Sequence, residues 1–406
     1  MFRWRLGSDG VRHVRDQHSR RLVAVPDRSC QPDENDQSGN DGPWSSIPEC
    51  LHLGGDERQA VAGDSKALAT SAGLAASSLV VRVSRRALVG GAVAASAGLG
   101  ISYATWRPGR DCPLPRGPWK DNAAWLTHAW WGDERWYEGA TRRREDYFGP
   151  TNVERMARRL RRAGVVDWFV HGGPSDPDGR LPRWDAGQAR LLIEANAGGS
   201  VLAWVGGVVG KQAFPSYPRW REAFARSCAH RLEEHALSGI HLNIEPCESF
   251  LPGYLETLDE LRDALPVGAR LSVAAYPPPT MMHPFAAVHW NGDFYREVSA
   301  RCDDISVMMY DTALGFEKPF TWLVSEWTRE VLEWTTVPIR VGLPTYEEDV
   351  SYHDPSVENL HTALRGLAGA ASRHRDPRLV GWAVYSEWTL DDDEIGVLAA
   401  CSSTEG

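Results

Sequence analysis

The amino-acid sequence predicts an α/β fold, a closed (β/α)8 TIM barrel over residues 118–400, preceded by a disordered N-terminal region and one apolar segment. Short apolar runs alternate with helical patterns along this stretch, which is typical of βα units around a parallel sheet. Eight such units fit the length, because a barrel of this kind needs roughly 250 residues. A doubly wound open sheet is the alternative, but the first predicted strand lacks the glycine-rich phosphate turn of that fold.

Eight short apolar runs supply the expected strands. In chain order they are Ala123–Ala129, Val165–Val170, Val201–Val205, Gly239–Ile244, Arg270–Ala275, Asp304–Met309, Ile339–Leu343 and Leu379–Val384. Among the helical patterns between them, Thr151-x-x-Glu154 predicts a capping box at the start of a helix over 152–163. A second helix is predicted over 220–236, where apolar side chains recur every four residues and form one buried face: Trp220, Phe224, Cys228 and Leu232.

The chain ahead of the barrel divides into three segments. Residues 1–83 are rich in Asp, Ser, Gly and Arg without a sustained period, which predicts disorder or a mis-assigned extension before a true start near Val83. Arg85-Arg86 then precedes 20 uncharged residues, a pattern that resembles a twin-arginine export signal over 84–106. A membrane anchor behind a cytoplasmic tail is the alternative, since about 20 uncharged residues can span a bilayer. Residues 107–117 are predicted to be a stiff linker.

Composition limits the classes of function. A formal net charge of −10 argues against a nucleic-acid-coating surface, because phosphate binding requires a basic excess. Of the 18 tryptophans, 15 lie beyond Gly117, and tryptophan can stack on sugars or fill a barrel core. The seven cysteines show no CxxC spacing, so a thiolate zinc site is not expected. Cys228, Cys247 and Cys302 are expected to be buried thiols, and export would permit a disulfide.

The fourth predicted strand carries the most informative polar residues. His241, Asn243 and Glu245 alternate with Leu242 and Ile244, so the three polar side chains share one face of the strand. Working residues of such barrels stand at the carboxyl ends of the strands, where Glu245 lies. A charge at the end of an interior row is costly unless something uses it. This favours a catalytic carboxyl over a structural one paired with an arginine.

Other strand ends carry motifs that complete a pattern. These are Ala203-Trp204-Val205-Gly206-Gly207 on strand three, Met308-Met309-Tyr310-Asp311 on strand six, and Trp382 to Trp388 on strand eight. Together with Glu245 on strand four, the motifs resemble, in order and position, those of the family 18 glycoside hydrolases. The resemblance covers residues 118–400 and implies the barrel fold and a chitinase-like glycosidase.

The resemblance also implies roles for individual residues. Glu245 would be the general acid that protonates the leaving glycosidic oxygen. Tyr310 and Asp311 would contact the N-acetyl group and neighbouring hydroxyls of the substrate. A tryptophan of strand eight, Trp382 or Trp388, would stack on a sugar ring, although either could instead belong to the core.

The fourth strand departs from the family pattern Asp-x-x-Asp-x-Asp-x-Glu. Ser238, His241 and Asn243 replace the three Asp, and only the terminal Glu is kept. In the family, the last Asp stabilises an oxazolinium formed by the substrate's own N-acetyl group, a recognised exception to the two-carboxylate mechanism. Asn243 lacks that charge, but its carbonyl can accept a hydrogen bond from the acetamide N–H, as in the Asn-x-Glu pair of family 85 endo-β-N-acetylglucosaminidases. A core amide is the alternative role.

Further candidates stand at other strand ends. Trp204, Tyr276 and Glu387 are expected to contact substrate, and Asp311, Glu387 or Glu347 could pair with Glu245 in an ordinary retaining mechanism if the carboxyls lie about 5 Å apart. His241 is expected to be a satisfied core histidine. His128 and His171 end strands one and two, but no HxH or HExxH spacing supports a metal site. No metal or cofactor is predicted.

The combined prediction is an exported or membrane-tethered glycoside hydrolase acting on an extracytoplasmic glycan that contains N-acetylhexosamine. We expect a monomer whose partner is a polysaccharide or oligosaccharide, with no nucleic-acid partner. A non-catalytic, lectin-like carbohydrate-binding barrel of the cell envelope is the alternative, favoured by the missing Asp residues. A structural envelope protein with a vestigial site is a third. An open groove around Glu245 would count against that one.

Overall fold

A computed structural model of the 406-residue chain describes residues 13–14, 23–24, 102–110, 119–134, 137, 143–281 and 284–402. The predicted export signal or anchor lies outside the described residues as far as residue 101, as do nearly all of residues 1–83 and the linker beyond residue 110. Residues 1–55 form a unit of their own, in which His13–Val14 pairs antiparallel with Val23–Ala24.

The second unit contains a closed barrel of eight parallel strands, which confirms the predicted fold. The strands are β1 (Ala123–Leu126), β2 (Asp167–Pro174), β3 (Val201–Val208), β4 (Gly239–Glu245), β5 (Arg270–Ala275), β6 (Asp304–Val307), β7 (Ile339–Pro344) and β8 (Leu379–Tyr385). They are hydrogen-bonded in sequence order. The barrel closes between β8 and β1, where Ala383 pairs with Ala123 and Val384 with Ala124.

A helix follows each strand and covers the outside of the barrel. The helices are α1 (Pro150–Ala163), α2 (Ala186–Ala195), α3 (Pro218–His235), α4 (Tyr254–Ala264), α5 (Gly292–Ser299), α6 (Glu317–Trp334), α7 (Leu360–His374) and α8 (Asp392–Ser402). In the described parts of the connections, shorter helical segments include His128–Trp131, Arg144–Tyr147 and Ala286–Val288. The alternation of strand and helix therefore follows the predicted βα order.

One hydrophobic core fills the space between strands and helices. The expected apolar face of α3 is buried there, and it consists of Trp220, Phe224, Cys228 and Leu232. Leu242 and Ile244 of β4 point into the same layer. Every second strand residue therefore faces the helices, and the alternate row fills the barrel interior. Cys228, Cys247 and Cys302 are buried free thiols, as expected.

Helix α1 begins differently from the prediction. Its N-cap is Gly149, at φ 92°, and Pro150 occupies the first turn. Proline suits that position because its missing N–H would have no helical partner there. Thr151 consequently lies inside the helix and makes no cap, so the predicted capping box is wrong.

The amino-terminal end of the barrel is closed by a buried ionic network. Arg340 contacts Asp167 at 2.7 Å and Asp304 at 2.6 Å, and Arg270 contacts the same carboxylates at 2.6 and 2.5 Å. Burial opposes ionisation of Asp304, but the two guanidinium groups hold its pKa at about 2. We call these four residues the floor network.

The described residues ahead of the barrel pack on its outer helices. The carbonyl of Pro108 accepts a hydrogen bond from Arg373 at 2.9 Å, and the amide of Arg110 donates to the carbonyl of Arg365 at 3.0 Å. The first part of the predicted linker thus contacts α7. In the part of the chain that the structure describes, no helix is both long enough and apolar enough to cross a bilayer.

Candidate active site

The polar row of β4 lies in the barrel interior, as its alternation indicated. His241 and Asn243 are buried, and Glu245 is partly buried at the carboxyl end of the strand. Residue pairing with β3 places Gly206 beside Asn243. A Cβ at Gly206 would lie 1.7 Å from the Asn243 carbonyl oxygen, so only glycine allows the two strands to approach here.

Glu245 is held by neighbours on two strands. Asn243 Nδ2 donates to Glu245 Oε1 at 2.7 Å, and the Tyr276 hydroxyl, directly after β5, also bonds the carboxyl. Burial raises the pKa of Glu245 to about 7, and the charge of Asp311 acts in the same direction against the two hydrogen bonds. A carboxyl with this pKa can both hold and release a proton near neutrality, as a general acid must.

Tyr310 and Asp311 follow β6 toward the same end of the barrel. The Tyr310 ring is buried and stacks on Tyr385 with centroids 5.5 Å apart. Asp311 has φ 61°, a left-handed conformation that Asp tolerates better than most residues, and about a third of its side chain is exposed. Its carboxylate accepts a hydrogen bond from the Tyr346 hydroxyl and lies 3.4 Å from His353 Nδ1.

Two tryptophans expected to meet the substrate are buried instead. Trp382 is fully buried in the core between strands and helices, so it cannot form an open floor for a sugar. Trp204 is 1% exposed and packs edge-on against His171 inside the barrel. The physical reason is the same for both residues. Both faces of a barrel strand are buried, so a large aromatic side chain can pack either in the barrel interior, as Trp204 does, or against the helices, as Trp382 does.

The remaining strand-eight residues keep positions near the mouth. Trp388 is partly exposed and lies edge-on to Tyr385, with centroids 5.7 Å apart. Glu387 is buried, and its Oε2 accepts a hydrogen bond from Trp130 Nε1 at 3.1 Å. Trp388 is therefore the tryptophan of this strand that could present a face to a ligand.

His241 is a satisfied core histidine, as expected. Trp125 Nε1 donates to His241 Nε2 at 3.0 Å, so the ring proton is assigned to Nδ1, which lies 2.9 Å from Ser272 Oγ. Ser272 in turn donates to Asp304 of the floor network at 2.7 Å. Burial lowers the pKa of His241 to about 3, so the ring is neutral. His241 is therefore a neutral link between Trp125 and Ser272 in the barrel interior.

Other candidates fall outside this constellation. His128 contacts Asp133 at 2.9 Å, and its ring centroid lies 5.3 Å from that of His171. Within the described ranges, no group of three or more His, Cys, Asp or Glu side chains is arranged so that it could hold a metal ion. Glu347 is exposed on the loop after β7.

Sequence reasoning missed four residues close to Tyr310 and Asp311. They are Tyr346, His353 and Glu358, on the connection after β7, and Tyr385, at the end of β8. The alternation of β8 contained a usable signal for Tyr385, since residues 381, 383 and 385 form the row opposite Trp382. The long loop offered no periodicity from which the other three could be placed.

The similarity of this chain to known proteins is found in its structure and not in its sequence. No protein-family model matches the sequence, and no curated protein matches it. The barrel is similar to the spore cortex-lytic enzyme SleL of Bacillus cereus (TM-score 0.50, 12% identity, covering 70% of this chain and 74% of that one). It is also similar to the Group IV chitinase of Ostrinia furnacalis (TM-score 0.50, 13% identity, covering 70% of this chain and 99% of that one). A third similar structure is the spore cortex-lytic enzyme SleL of Bacillus megaterium (TM-score 0.50, 11% identity, covering 70% of this chain and 74% of that one). At these identities the similarity shows a shared fold.

Proposed function

We propose that this barrel is a glycoside hydrolase that cleaves a glycan containing N-acetylhexosamine, with Glu245 as its general acid. The observation that carries the proposal is the 2.7 Å contact between Asn243 Nδ2 and Glu245 Oε1 at the carboxyl end of β4. Charged side chains at this end of a barrel are the usual catalytic groups. The similarity to solved chitinase and cortex-lytic enzyme structures favours this class of reaction over others that the fold supports.

In this mechanism Glu245 protonates the glycosidic oxygen as its bond to the anomeric carbon breaks. The pKa of about 7 leaves the carboxyl protonated in mildly acidic solution. Activity should therefore fall as the pH rises through about 7, where the acid loses its proton before substrate binds. The hydroxyl of Tyr276 is bonded to the same carboxyl and would hold the Glu245 side chain in position.

The substrate's acetamide group takes the role of the nucleophile. Asn243 donates a hydrogen bond from Nδ2 to Glu245, and among the described residues no donor contacts the Asn243 Oδ1. This oxygen can therefore accept a hydrogen bond from the acetamide N–H. This bond would turn the acetamide oxygen toward the anomeric carbon, as substrate assistance requires. Tyr310 and Asp311 hold the acetamide or hydroxyls, and Trp388 forms the floor under a sugar ring.

We also propose that the enzyme acts outside the cytoplasm. The twin-arginine-like segment would either direct export of the chain or remain as a membrane tether. Cys401 is disulfide-bonded. Disulfides persist mainly in oxidising compartments, so this bond supports an exported enzyme. Thiol alkylation of the protein in cell fractions tests the proposal: an unmodified Cys401 in the extracytoplasmic fraction supports it, and a fully alkylated, cytoplasmic protein contradicts it.

The decisive experiment compares hydrolysis by the full chain with that by Glu245→Gln. The substrates are aryl N-acetylglucosaminides, chitin oligosaccharides and peptidoglycan glycan strands. Removing a general acid typically costs about 100- to 10,000-fold in rate, so Glu245→Gln should lose activity by that factor. Glu248→Gln, an exposed carboxyl on the following loop, is the matched control and should keep it.

Two outcomes would contradict the mechanism. Equal activity of Glu245→Gln and wild type would remove Glu245 from the reaction. If neither protein hydrolyses any substrate but both bind an oligosaccharide with the same affinity, the barrel is a carbohydrate-binding protein, an alternative that the Asn at position 243 favours.

A further inference from the structure

A buried polar cluster joins the connection after β6, which carries Asp311, to the connection between β7 and α7. Its members are Asp311, Thr312, Tyr346, His353 and Glu358, and we call them the Asp311 cluster. Of the five, only Asp311 was expected from the sequence to have a role. The other four lie behind it, and two of them carry ionisable groups with no solvent contact.

His353 lies between two carboxylates. Its Nδ1 is 3.4 Å from Asp311 Oδ1 and 3.8 Å from Glu358 Oε2, and its side chain is fully buried. The ring stacks on Tyr346, with centroids 4.1 Å apart and an interplanar angle of 26°, which fixes its plane. Tyr346 also donates its hydroxyl proton to Asp311, so the same side chain orients both partners.

Glu358 anchors the turn that carries Asp311. Both of its carboxylate oxygens accept the backbone N–H of Thr312 at 3.0 Å, and Oε1 also accepts the Thr312 hydroxyl at 2.9 Å. The left-handed conformation of Asp311 is thus held by contacts to the next residue. Glu358 is itself fully buried, so its ionised form requires a cation nearby.

Within the described part of the chain, His353 is the only basic side chain that forms an ion pair with either carboxylate. The ionisable groups that face it are Asp311, Glu358 and Tyr346. Two carboxylates therefore share one imidazole, and no lysine or arginine within these ranges compensates for its loss. When both carboxyls are ionised, the charge state of this ring decides whether the cluster carries one net negative charge or two.

We propose that protonated His353, shared between Asp311 and Glu358, is a positioning residue that holds the Asp311 carboxylate toward the barrel mouth. The effect of this ion pair on catalysis rests on the proposed function. The ion pair itself does not, because it can be measured without substrate. When the imidazolium loses its proton, the second negative charge remains uncompensated and Asp311 is released from its position. The cluster thus makes the site sensitive to pH at a residue that does not touch the reacting atoms.

The titration behaviour agrees with this arrangement. Burial disfavours the charged ring, yet the nearby carboxylate of Asp311, together with the charge of Glu358, raises the pKa of His353 above its ordinary value. Burial raises the pKa of Glu358 to about 7. A raised histidine pKa means that the ion pair between His353 and Asp311 is complete in mildly acidic solution, where Glu358 is still protonated, and is lost as the pH rises through the folded-state pKa of His353.

The first test follows the imidazole directly by NMR of the full chain labelled with 15N-histidine, with the His353 signal assigned by its absence in His353→Asn. In wild type the signal should titrate above the value of about 6.5 for a free histidine. In Asp311→Asn and Glu358→Gln the midpoint should fall by about one pH unit, because each change removes one neighbouring charge. A midpoint at or below that of free histidine, unmoved by either substitution, overturns the ion pair.

The second test measures the pH profile of glycan hydrolysis. His353→Asn keeps a donor near the Nδ1 position but no charge, and should lower kcat about 10- to 100-fold with KM little changed. Its alkaline limb should also lack the His353 ionisation. His353→Asn combined with Glu358→Gln restores the charge balance and should recover part of kcat. His361→Asn, an exposed histidine on α7, is the matched control and should match wild type.

The two tests separate the two proposals. If no glycan is hydrolysed but the His353 midpoint is raised and moves with Asp311→Asn, the ion pair is established and the proposed reaction is wrong. If hydrolysis depends on Glu245 but His353→Asn has the wild-type kcat and pH profile, the positioning role is overturned and the glycosidase stands.

Discussion

The residue beside Glu245 determines how charge is distributed at the barrel mouth. Asn243 donates to Glu245 at 2.7 Å, a contact in which a neutral amide stabilises the ionised form of its neighbour. An aspartate at the same distance would repel a charged Glu245 and favour the protonated acid. The substitution seen in this chain therefore lowers the pKa of the acid relative to the family arrangement that the sequence resembles.

This argument gives a prediction for Asn243→Asp. The new carboxylate should raise the pKa of Glu245 and shift the alkaline limb of kcat/KM upward by about 1 pH unit or more. The measurement is the pH profile on an N-acetylated oligosaccharide. Asn243→Ala is the control, since it removes the hydrogen bond without adding a charge and should shift the limb less. An unchanged limb in Asn243→Asp would show that Glu245 is not the titrating acid.

The two strand-eight tryptophans should respond differently to the same substitution. Trp382→Phe removes atoms from a fully buried side chain and should lower the free energy of unfolding by about 1–3 kcal/mol while leaving ligand affinity unchanged. Trp388→Phe should weaken oligosaccharide binding by about 2- to 10-fold, because a smaller ring stacks less well. Denaturant unfolding and calorimetry measure the two effects. Equal loss of affinity in both variants would contradict the assignment.

The site residues differ in how well the sequence predicts them. On β4 the polar row contrasts with Leu242 and Ile244, so the interior face was identifiable by alternation alone. On β8 both faces are apolar, so no such contrast showed whether Trp382 belonged to the core or to a sugar-stacking surface. His353 and Glu358 reach Asp311 through a loop whose path depends on tertiary contacts, which no local pattern encodes.

At the scale of elements, strand positions were predictable and helix starts less so. All eight strands lie where the apolar runs placed them, but β1 ends at Leu126 and β6 at Val307, two or three residues earlier than expected. After β1 the chain turns into the helical segment His128–Trp131 at once. Apolar side chains that continue past β1 and β6 are buried beyond the strand ends, so hydrophobicity overestimates the length of these two strands, whereas β2 and β3 end later than expected, at Pro174 and Val208.

Helix caps provide a prediction at this scale. Thr151 makes no cap, whereas Asn359 of α7 forms a true capping box, accepting the Thr362 N–H at 3.1 Å while its own N–H donates to Thr362 Oγ1. Asn359→Ala should therefore cost about 1 kcal/mol of unfolding free energy, and Thr151→Ala less than about 0.5 kcal/mol. Urea unfolding of both variants checks this. A larger loss in Thr151→Ala would mean that the start of α1 is misplaced.

Across the whole molecule, the two ends of the barrel have opposite electrostatic behaviour. The floor network pairs two carboxylates with two guanidinium groups, and the pKa of Asp304 is held down at about 2. At the mouth, burial raises the pKa of Glu245 and Glu358 to about 7, and that of Glu394 behind the mouth rises likewise. The floor favours ionised acids and the mouth favours protonated ones, so the preferred protonation states of the two ends coexist only between pH values of about 2 and about 7.

The stability of the fold should consequently pass through a maximum in mildly acidic solution. Asp304 contributes stability above its ordinary pKa of 3.8, and that contribution is lost as the pH falls toward about 2. Glu358 contributes below its ordinary value of 4.5, and its contribution is lost as the pH rises through about 7. Between pH 4.5 and 7, a carboxyl of this kind is protonated in the folded state and ionised in the unfolded state. For each such carboxyl, the unfolding free energy falls by at most about 1.4 kcal/mol for every unit by which the pH rises.

Glu358→Gln isolates one of these contributions. The amide cannot ionise, so the decline of stability between pH 4.5 and 7 should become shallower, while the loss below pH 3.8 should stay the same because the floor network is intact. Urea unfolding at half-unit pH steps measures both slopes. Glu233→Gln, an exposed carboxyl on α3, is the matched control and should reproduce the wild-type curve. A wild-type stability that rises steadily from pH 4.5 to 7 would mean that the buried acids are ionised in the fold and that the mouth is better hydrated than its packing implies.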